Sequence, residues 1–405
     1  MLKSAVSLKR LMSAALLSAL AALLTGCNVV TPDHSQSTFD TLGPVAENQL
    51  FIFWVIFWAG LVVFIAVEGA LLYMVFKFKR RDDRDPKQTH GNTRVEIAWT
   101  IAPVIVLIVA AVPTIDGIFY ADAGRFIDSN GASQELQVDV IGHQWWFEFR
   151  YPHPVNPGEQ IAVANEMYVP VGEPVIFLLD SVDVIHSFWV PKLAGKVDMI
   201  PNNDNKMWFE AYVPGEFFGQ CAEFCGVSHA NMRFKVVAVP REEFDAWLMH
   251  QANPAPEPSG ALAAQGKKLF RDEGCSGCHA DSSSIIKLRE DGGRIPGRTG
   301  PILTHVASRL NHLGIYRNSD VDFEDMSGSR QLYVNSQGIP TDRNTGQPFV
   351  NEAMLQNNLK VWITDPESLK PGNLMSRDGE PYIDPANTLT EQEIDALVAY
   401  LMTLK

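Results

Sequence analysis

The sequence predicts a multidomain, membrane-anchored chain: a two-helix transmembrane hairpin, then an all-β unit, then a small all-α unit. Three observations carry that prediction. Two apolar stretches are long enough to cross a bilayer; short alternating runs rich in β-branched and aromatic residues follow; and beyond a Pro-rich stretch the apolar residues recur at helical spacing. A length of 405 residues leaves room for two or three folded units. Hydrophobic residues at 46% with a mean hydropathy of −0.02 exclude both a disordered chain and a polytopic one. The balance of 33 basic against 47 acidic residues, a net −14, argues against nucleic acid and for a basic partner or simple solubility. Five cysteines, an odd number, cannot all pair, so each needs its own explanation.

Residues 1–26 carry Lys3, Lys9 and Arg10, then an apolar run from Leu11 to Leu24, the pattern of a signal peptide. Leu24-Thr25-Gly26-Cys27 resembles a bacterial lipobox, which implies that Cys27 is the lipid-modified mature N-terminus. An ordinary signal peptide with Cys27 incidental is the plainer alternative. Residues 27–120 hold the N-terminal segment and the hairpin, with spans predicted over about 50–76 and 97–115. The loop between the spans carries Lys77, Lys79, Arg80, Arg81, Arg84, Lys87 and Arg94 against three aspartates, so the positive-inside rule places it in the cytoplasm and everything after it outside. Setting aside the basic signal peptide and loop leaves about −21 on the membrane and exported portion. Glu68 lies within the first span and Glu96 at the cytoplasmic start of the second, so both are candidate functional carboxylates as well as candidate packing and interfacial charges.

Residues 121–250 read as an antiparallel β-sandwich or barrel, with strands around 136–140, 173–179, 186–190 and 232–239, closed by a helical stretch over 241–249. Residues 251–260 form a Pro-rich linker with few means of packing. Residues 261–405 form the helical unit. A helix is predicted over 261–270, another around Leu355, Leu359 and Trp362, and a closing one over 391–404, where Thr390 and Glu393 make a capping box. The stretch 309–350 is polar and without periodicity, and reads as an insertion that is either ordered against a partner or mobile.

Two constellations carry chemistry. Cys221, Cys225, His229 and Met232 fall within twelve residues, a soft ligand set suited to copper. A blue single-copper site needs one Cys, two His and a Met; with His186 as the second imidazole, the extra cysteine here would let two thiolates bridge two coppers. Zinc and a Cys221–Cys225 disulfide are the rival readings. Cys275-Ser276-Gly277-Cys278-His279 is the attachment sequence for c-type haem, two thiols for the porphyrin and an imidazole for the iron. The sixth ligand should be a thioether, and Met326, Met354 and Met375 are the candidates.

The hairpin, the run Gly142-His143-Gln144-Trp145-Trp146-Phe147, the segment Asp183-Val184-Ile185-His186-Ser187-Phe188 and the Cys-x-Glu-x-Cys-Gly-x-x-His-x-x-Met motif together resemble subunit II of the haem–copper cytochrome c oxidases over roughly residues 40–245. The resemblance implies a cupredoxin fold holding the binuclear copper A centre on His186, Cys221, Cys225, His229, Met232 and the main-chain oxygen of Glu223. It further implies that the Glu223 carboxylate helps bind magnesium or manganese against subunit I, that Trp145 receives the electron from cytochrome c, a sheet-packing indole being the plainer alternative, and that Glu96 stands at the mouth of a proton path, leaving Glu68 a packing or lipid-adjacent role. Pro371-Gly372-Asn373-Leu374-Met375 resembles the methionine loop of class I cytochromes c, which favours Met375, and Gly300-Pro301 resembles the position whose carbonyl orients the proximal imidazole. His305 and His312 are expected at the surface. A subunit II with a C-terminal cytochrome c domain resembles the caa3-type oxidases. The partners this implies are oxidase subunits I and III, the membrane, and a soluble cytochrome c or a quinol–cytochrome c reductase as donor. The alternatives are a free-standing lipid-anchored carrier, a nitric-oxide-reducing relative and a quinol oxidase subunit.

Overall fold

The computed structural model describes residues 36–79, 90–128, 133–288, 299–313, 316–317, 332–343 and 345–405. The signal peptide, Cys27, most of the basic loop and Met326 lie outside the described residues.

The two apolar stretches form helices α1 (Pro44–Lys77) and α2 (Thr93–Ala121), both longer than the predicted spans because their polar ends continue helical beyond the apolar segment. Pro44 opens α1 at its first position, where no amide is needed, and the Asn92 side chain caps α2 by accepting from the amides of Arg94 and Val95. Apolar side chains point outward all round both helices, as hydrocarbon or a neighbouring membrane chain requires. Gly117 lets the pair approach closely, since a Cβ there would lie 2.4 Å from Ile52 Cδ1. The outer ends are tied to the next unit: the Ala46 amide donates to the Leu193 carbonyl at 3.2 Å, and Trp208 Nε1 donates to the Tyr120 carbonyl at 3.2 Å.

The β unit is a two-sheet sandwich of β1 (Leu136–His143), β2 (Trp146–Pro152), β3 (Glu159–Ala164), β4 (Glu166–Pro170), β5 (Val175–Ser181), β6 (His186–Trp189), β7 (Val197–Met199), β8 (Asn205–Phe209), β9 (Gly215–Cys221) and β10 (Arg233–Val239). One sheet runs β3-β2-β1-β5-β8 and the other β4-β10-β9-β6-β7. The expectation of antiparallel pairing throughout is corrected at two places: β1 pairs with β5, and β4 with β10, in parallel. Strands joined by tight turns are legible locally, whereas parallel partners come from distant segments. Phe147, Phe149, Phe188 and Phe234 interlock between the sheets and fill the core.

After helix α3 (Arg241–Ala252), the chain enters helix α4 (Ala261–Asp272). The Pro-rich stretch between them is not a bare tether: the Ala255 amide donates to the Ser282 carbonyl at 3.2 Å. The expectation of an all-α last unit is corrected here: strand β11 (Ile285–Lys287) extends the edge of β3, so the first sheet has six strands. Two short antiparallel pairs, Asn311–His312 with Tyr316–Arg317 and Leu332–Val334 with Pro340–Asp342, form where extended segments close on themselves. Helix α5 (Glu352–Thr364) buries Leu355, Leu359 and Ile363; three short helices, α6 (Pro366–Leu369), α7 (Leu374–Asp378) and α8 (Glu380–Ile383), lead to α9 (Glu391–Leu401). Both halves of the Thr390–Glu393 capping box are present. Helices α4 and α9 cross closely where Gly266 meets the Ala396 carbonyl, too near for any Cβ.

The described parts of 309–350 pack on the β unit. The Asn311 side chain donates to Glu216 at 2.8 Å and to Glu166 at 3.2 Å, and the Val334 amide donates to Glu243 at 2.7 Å. Burial, opposed by Asn311, pushes the Glu166 carboxyl up to about 7. The raised value means the proton stabilises the fold: the contribution is complete below the ordinary 4.5 and is lost as pH rises through about 7. Glu166→Gln, which mimics the protonated form, is therefore expected to flatten the fall in thermal stability between about pH 5 and pH 8, by of the order of 3 kcal/mol at the upper end. Superimposable melting curves for the two proteins would show that Glu166 is ionised throughout.

Candidate functional site

His186 opens β6 and Cys221 ends β9, and these strands pair, with Phe188 opposite Cys221. The loop 222–231 carries Glu223, Cys225 and His229, and Met232 leads into β10, where the Cys221 amide donates to the Met232 carbonyl at 3.0 Å. The sandwich thus gathers ligands from three places in the chain. The donor atoms of His186, Cys221 and Cys225 lie within 4.8 Å of one another. The two sulfurs are 3.8 Å apart, far beyond a disulfide's roughly 2.05 Å but within reach of shared ions. His186 Nδ1 is 3.9 Å from Cys221 Sγ, His229 Nδ1 is 3.5 Å from Cys225 Sγ, Met232 Sδ is 3.8 Å from Cys225 Sγ, and the Glu223 carbonyl oxygen is 3.2 Å from Cys221 Sγ. Two soft sulfurs flanked by one imidazole each, a thioether and a carbonyl match what copper takes.

Electrostatics favour the thiolate at this spot. The Cys221 thiol is pulled far below its usual range by the hydrogen bond from Cys225, aided by His186, while Cys225 holds the shared proton and is pushed up. His186 turns Nε2 toward Asp183 Oδ1 at 2.8 Å, leaving Nδ1 on the sulfur side. Burial opposes ionisation of both partners, yet the hydrogen bond holds Asp183 low and His186 high. Asp183 was legible only as part of the motif; its spacing of three from His186 is the signal for this orienting role. Gly142 is required behind the imidazole, since a Cβ there would lie 2.7 Å from His186 Cδ2.

Trp145 is only 7% exposed, and its indole Nε1 donates to the Cys225 carbonyl at 3.0 Å, joined there by Gln144 Nε2 at 2.7 Å. The last unit covers it. Ser228 Oγ donates to the Pro371 carbonyl at 2.7 Å, Asn231 Nδ2 to the Leu369 carbonyl at 3.1 Å, and Lys370 Nζ to the Trp145 carbonyl at 2.9 Å.

Beyond Trp145 opens a cavity of about 290 Å³ whose walls include Cys275, Cys278, His279 and Met375 as well as Trp145 and Trp146. His279 Nδ1 donates to the Pro301 carbonyl at 2.7 Å, which leaves Nε2 for a ligand, and burial holds the imidazole below its ordinary value and hence neutral. A Cβ on Gly300 would lie 2.8 Å from the His279 ring, so only glycine fits. Met375 sits in the first turn of α7, on a loop braced by Glu367, which accepts from the Gly372 amide at 2.9 Å and from Ser376 Oγ at 2.6 Å. Two thiols, a neutral imidazole with a fixed ring and a thioether lining one cavity suit a covalently attached haem. Met354 is absent from the walls, on α5.

Other residues fall elsewhere. His305, expected at the surface, is 1% exposed, because both ring nitrogens are engaged by the Lys405 and Asn253 carbonyl oxygens at 2.8 and 2.9 Å. The His312 side chain lies outside the described residues. Glu68 and Glu96 are both exposed on the membrane helices, Glu96 in the first turn of α2.

Comparison with known proteins supplies the family. A family profile described as cytochrome c oxidase subunit II, periplasmic domain, matches residues 136–239, and one described as its transmembrane domain matches residues 33–116. The chain is 36% identical over 397 residues to cytochrome c oxidase subunit 2 of Alkalihalophilus pseudofirmus, covering 96% of each, and 31% identical over 401 residues to that of Bacillus subtilis, again 96% of each. Among solved structures, the periplasmic domain of subunit II of cytochrome oxidase of Bradyrhizobium japonicum is 32% identical, with 28% of this chain and 91% of that one covered and a TM-score of 0.26.

Proposed function

Because the chain belongs to the cytochrome c oxidase subunit II family, as the electron-receiving subunit of a membrane-bound oxidase with a copper A-type domain on the outer side, we propose that it takes electrons through a c-type haem of its own, in the manner of caa3-type oxidases. The observation that carries this reading is the shared wall: one cavity is lined by both the haem-attachment residues and Trp145, and Trp145 bonds the carbonyl of Cys225.

His186, Cys221, Cys225, His229, Met232 and the Glu223 main-chain oxygen would hold two copper ions, and Cys275, Cys278, His279 and Met375 would hold the haem. When bound, both groups supply reversible one-electron chemistry, and oxygen is reduced in subunit I. The protein's contribution is positional. Asp183 and Pro301 fix the two imidazoles, Gly142 and Gly300 leave room for them, and the Phe-rich core beneath keeps water from the sulfurs. Trp145 joins the two sites through its indole, and because the last unit covers it, the external donor meets that unit rather than the tryptophan.

The finer assignments follow the same reading. The half-buried Glu223 side chain would help hold magnesium or manganese against subunit I, Glu96 would stand at the mouth of a proton path there, and Cys27 would carry lipid in the bacterial cytoplasmic membrane, with subunit III as a further partner. The acidic exported surface suits a basic donor such as a soluble cytochrome c, or a quinol–cytochrome c reductase.

Purification from membranes in mild detergent tests the function: a polytopic haem-bearing subunit should accompany the chain, and the complex should consume oxygen with reduced cytochrome c. A chain isolated alone would point to a free carrier, and consumption of nitric oxide in place of oxygen to a nitric-oxide-reducing relative. Trp145→Phe keeps the apolar filling but loses the bond to Cys225. Stopped-flow reduction should then show severalfold slower passage of electrons from haem to copper at unchanged metal content. An unchanged rate would remove Trp145 from the route.

A further inference from the structure

Lys370 is 4% exposed, on the segment that docks against the β unit. Its ammonium donates to two main-chain carbonyls, Trp145 at 2.9 Å and Leu313 at 3.2 Å. Among the described residues no carboxylate lies within ion-pair distance of it, and burial alone pulls its pKa down to about 7. A buried cation facing only neutral acceptors is costly unless a counter-charge arrives. Lys370 and both residues that accept from it line the same cavity as Cys275, Cys278, His279 and Met375.

The cavity is also polarised. Its lining carboxylates, Glu273, Asp378 and Glu380, belong to the segments around α4 and α7–α8, whereas Lys370 is hydrogen-bonded to the Trp145 carbonyl of the β unit; the other lining cation, Arg309, already interacts with Glu166. A ligand bearing carboxylates is attracted to Lys370 and repelled by the three carboxylates. Haem is apolar over most of its surface and bears two propionate carboxylates on one edge. Resting on the haem reading above, we propose that Lys370 is the counter-ion of a haem propionate, so that the cofactor's anionic edge faces the copper unit and Lys370 pins haem, Trp145 and the docking segment together.

Lysine was not among the residues the sequence marked, because a single Lys before Pro-Gly reads as a solvated charge. Its burial, and the lack of an anionic partner among the described residues, are visible only once the two units are packed together.

The test uses the full chain in its oxidase complex, with haem carrying ¹³C-labelled propionates. Haem staining after denaturing electrophoresis comes first: an unstained wild-type chain would end the haem reading, and this proposal with it. Given attached haem, Lys370→Gln should lower the ratio of reduced to oxidised haem at a fixed ambient potential about tenfold, since losing one charge-assisted hydrogen bond exposes the iron to an uncompensated anion. It should also shift one labelled propionate band in the redox-difference infrared spectrum. Lys370→Arg should restore both. Attached haem with neither change would overturn the proposal, and so would a changed ratio with unmoved propionate bands, which would make Lys370 only a distant charge. If Lys370→Gln does not accumulate, wild-type chain with ¹⁵N-lysine decides by solid-state NMR: a propionate carbon should couple to a lysine Nζ at hydrogen-bonding range, and no such coupling would sink the proposal.

Discussion

Replacing Cys225 by serine is expected to abolish the electron paramagnetic resonance pattern of one unpaired electron shared by two equivalent coppers, and with it oxidase turnover. Cys225 Sγ is the hub of the ligand cluster, 3.8 Å from Cys221 Sγ, 3.5 Å from His229 Nδ1 and 3.8 Å from Met232 Sδ. A serine oxygen is harder and protonated at neutral pH, so it can neither bridge two soft ions nor share spin between them. Since altering a partner that merely orients a ligand costs 10–100-fold in metal affinity, losing a bridging ligand should cost more than about 100-fold. His186 and Cys221 would remain and could retain one copper with hyperfine structure from a single nucleus. A preserved two-copper pattern in Cys225→Ser would refute the bridging arrangement.

On the haem assignment proposed above, Met375→Ala should leave the haem covalently attached, because Cys275 and Cys278 are untouched, but should lower its reduction potential by of the order of 0.1–0.3 V, part of the roughly 0.8 V range that axial ligands span. Thioether ligation stabilises the reduced iron, and its loss admits a harder ligand or water. A donor tuned to the native potential would then reduce the haem poorly, and turnover with cytochrome c should fall while artificial low-potential donors still work. Met354→Ala should do none of this, since Met354 lies on α5 and outside the cavity wall. A potential unmoved by Met375→Ala would return the sixth position to Met326 or Met354.

Much of this was legible in the sequence, for identifiable reasons. The membrane helices announce themselves by composition, the last helix by its Thr390–Glu393 capping box, and the clustered sulfurs by proximity along the chain, since ligands within a twelve-residue stretch need only one loop to converge. What resisted reading depends on distant packing. The parallel pairing of β1 with β5 and of β4 with β10 has no local signature. His305 looked like any polar loop residue until two carbonyls from Asn253 and Lys405 enclosed it. Of the non-periodic stretch after Arg309, the described Asn311 packs through single contacts, to Glu166 and Glu216, rather than through a repeating face. Trp145, read as an entry tryptophan or a sheet-packing indole, is buried where the last unit meets the β unit, with Lys370 bonded to its carbonyl.

The three-residue strand β11, hydrogen-bonded to the edge of β3, has a kinetic consequence. A flexible tether would set an effective concentration and leave the two units to find each other anew for each electron. A shared main-chain ladder removes that search: on the electron path proposed above, the exchange would be first order, insensitive to viscosity and to salt, with its orientation fixed once at folding. Ionic strength should then govern only the encounter with the outside donor, where exposed charges act across solvent and are screened within about 10 Å.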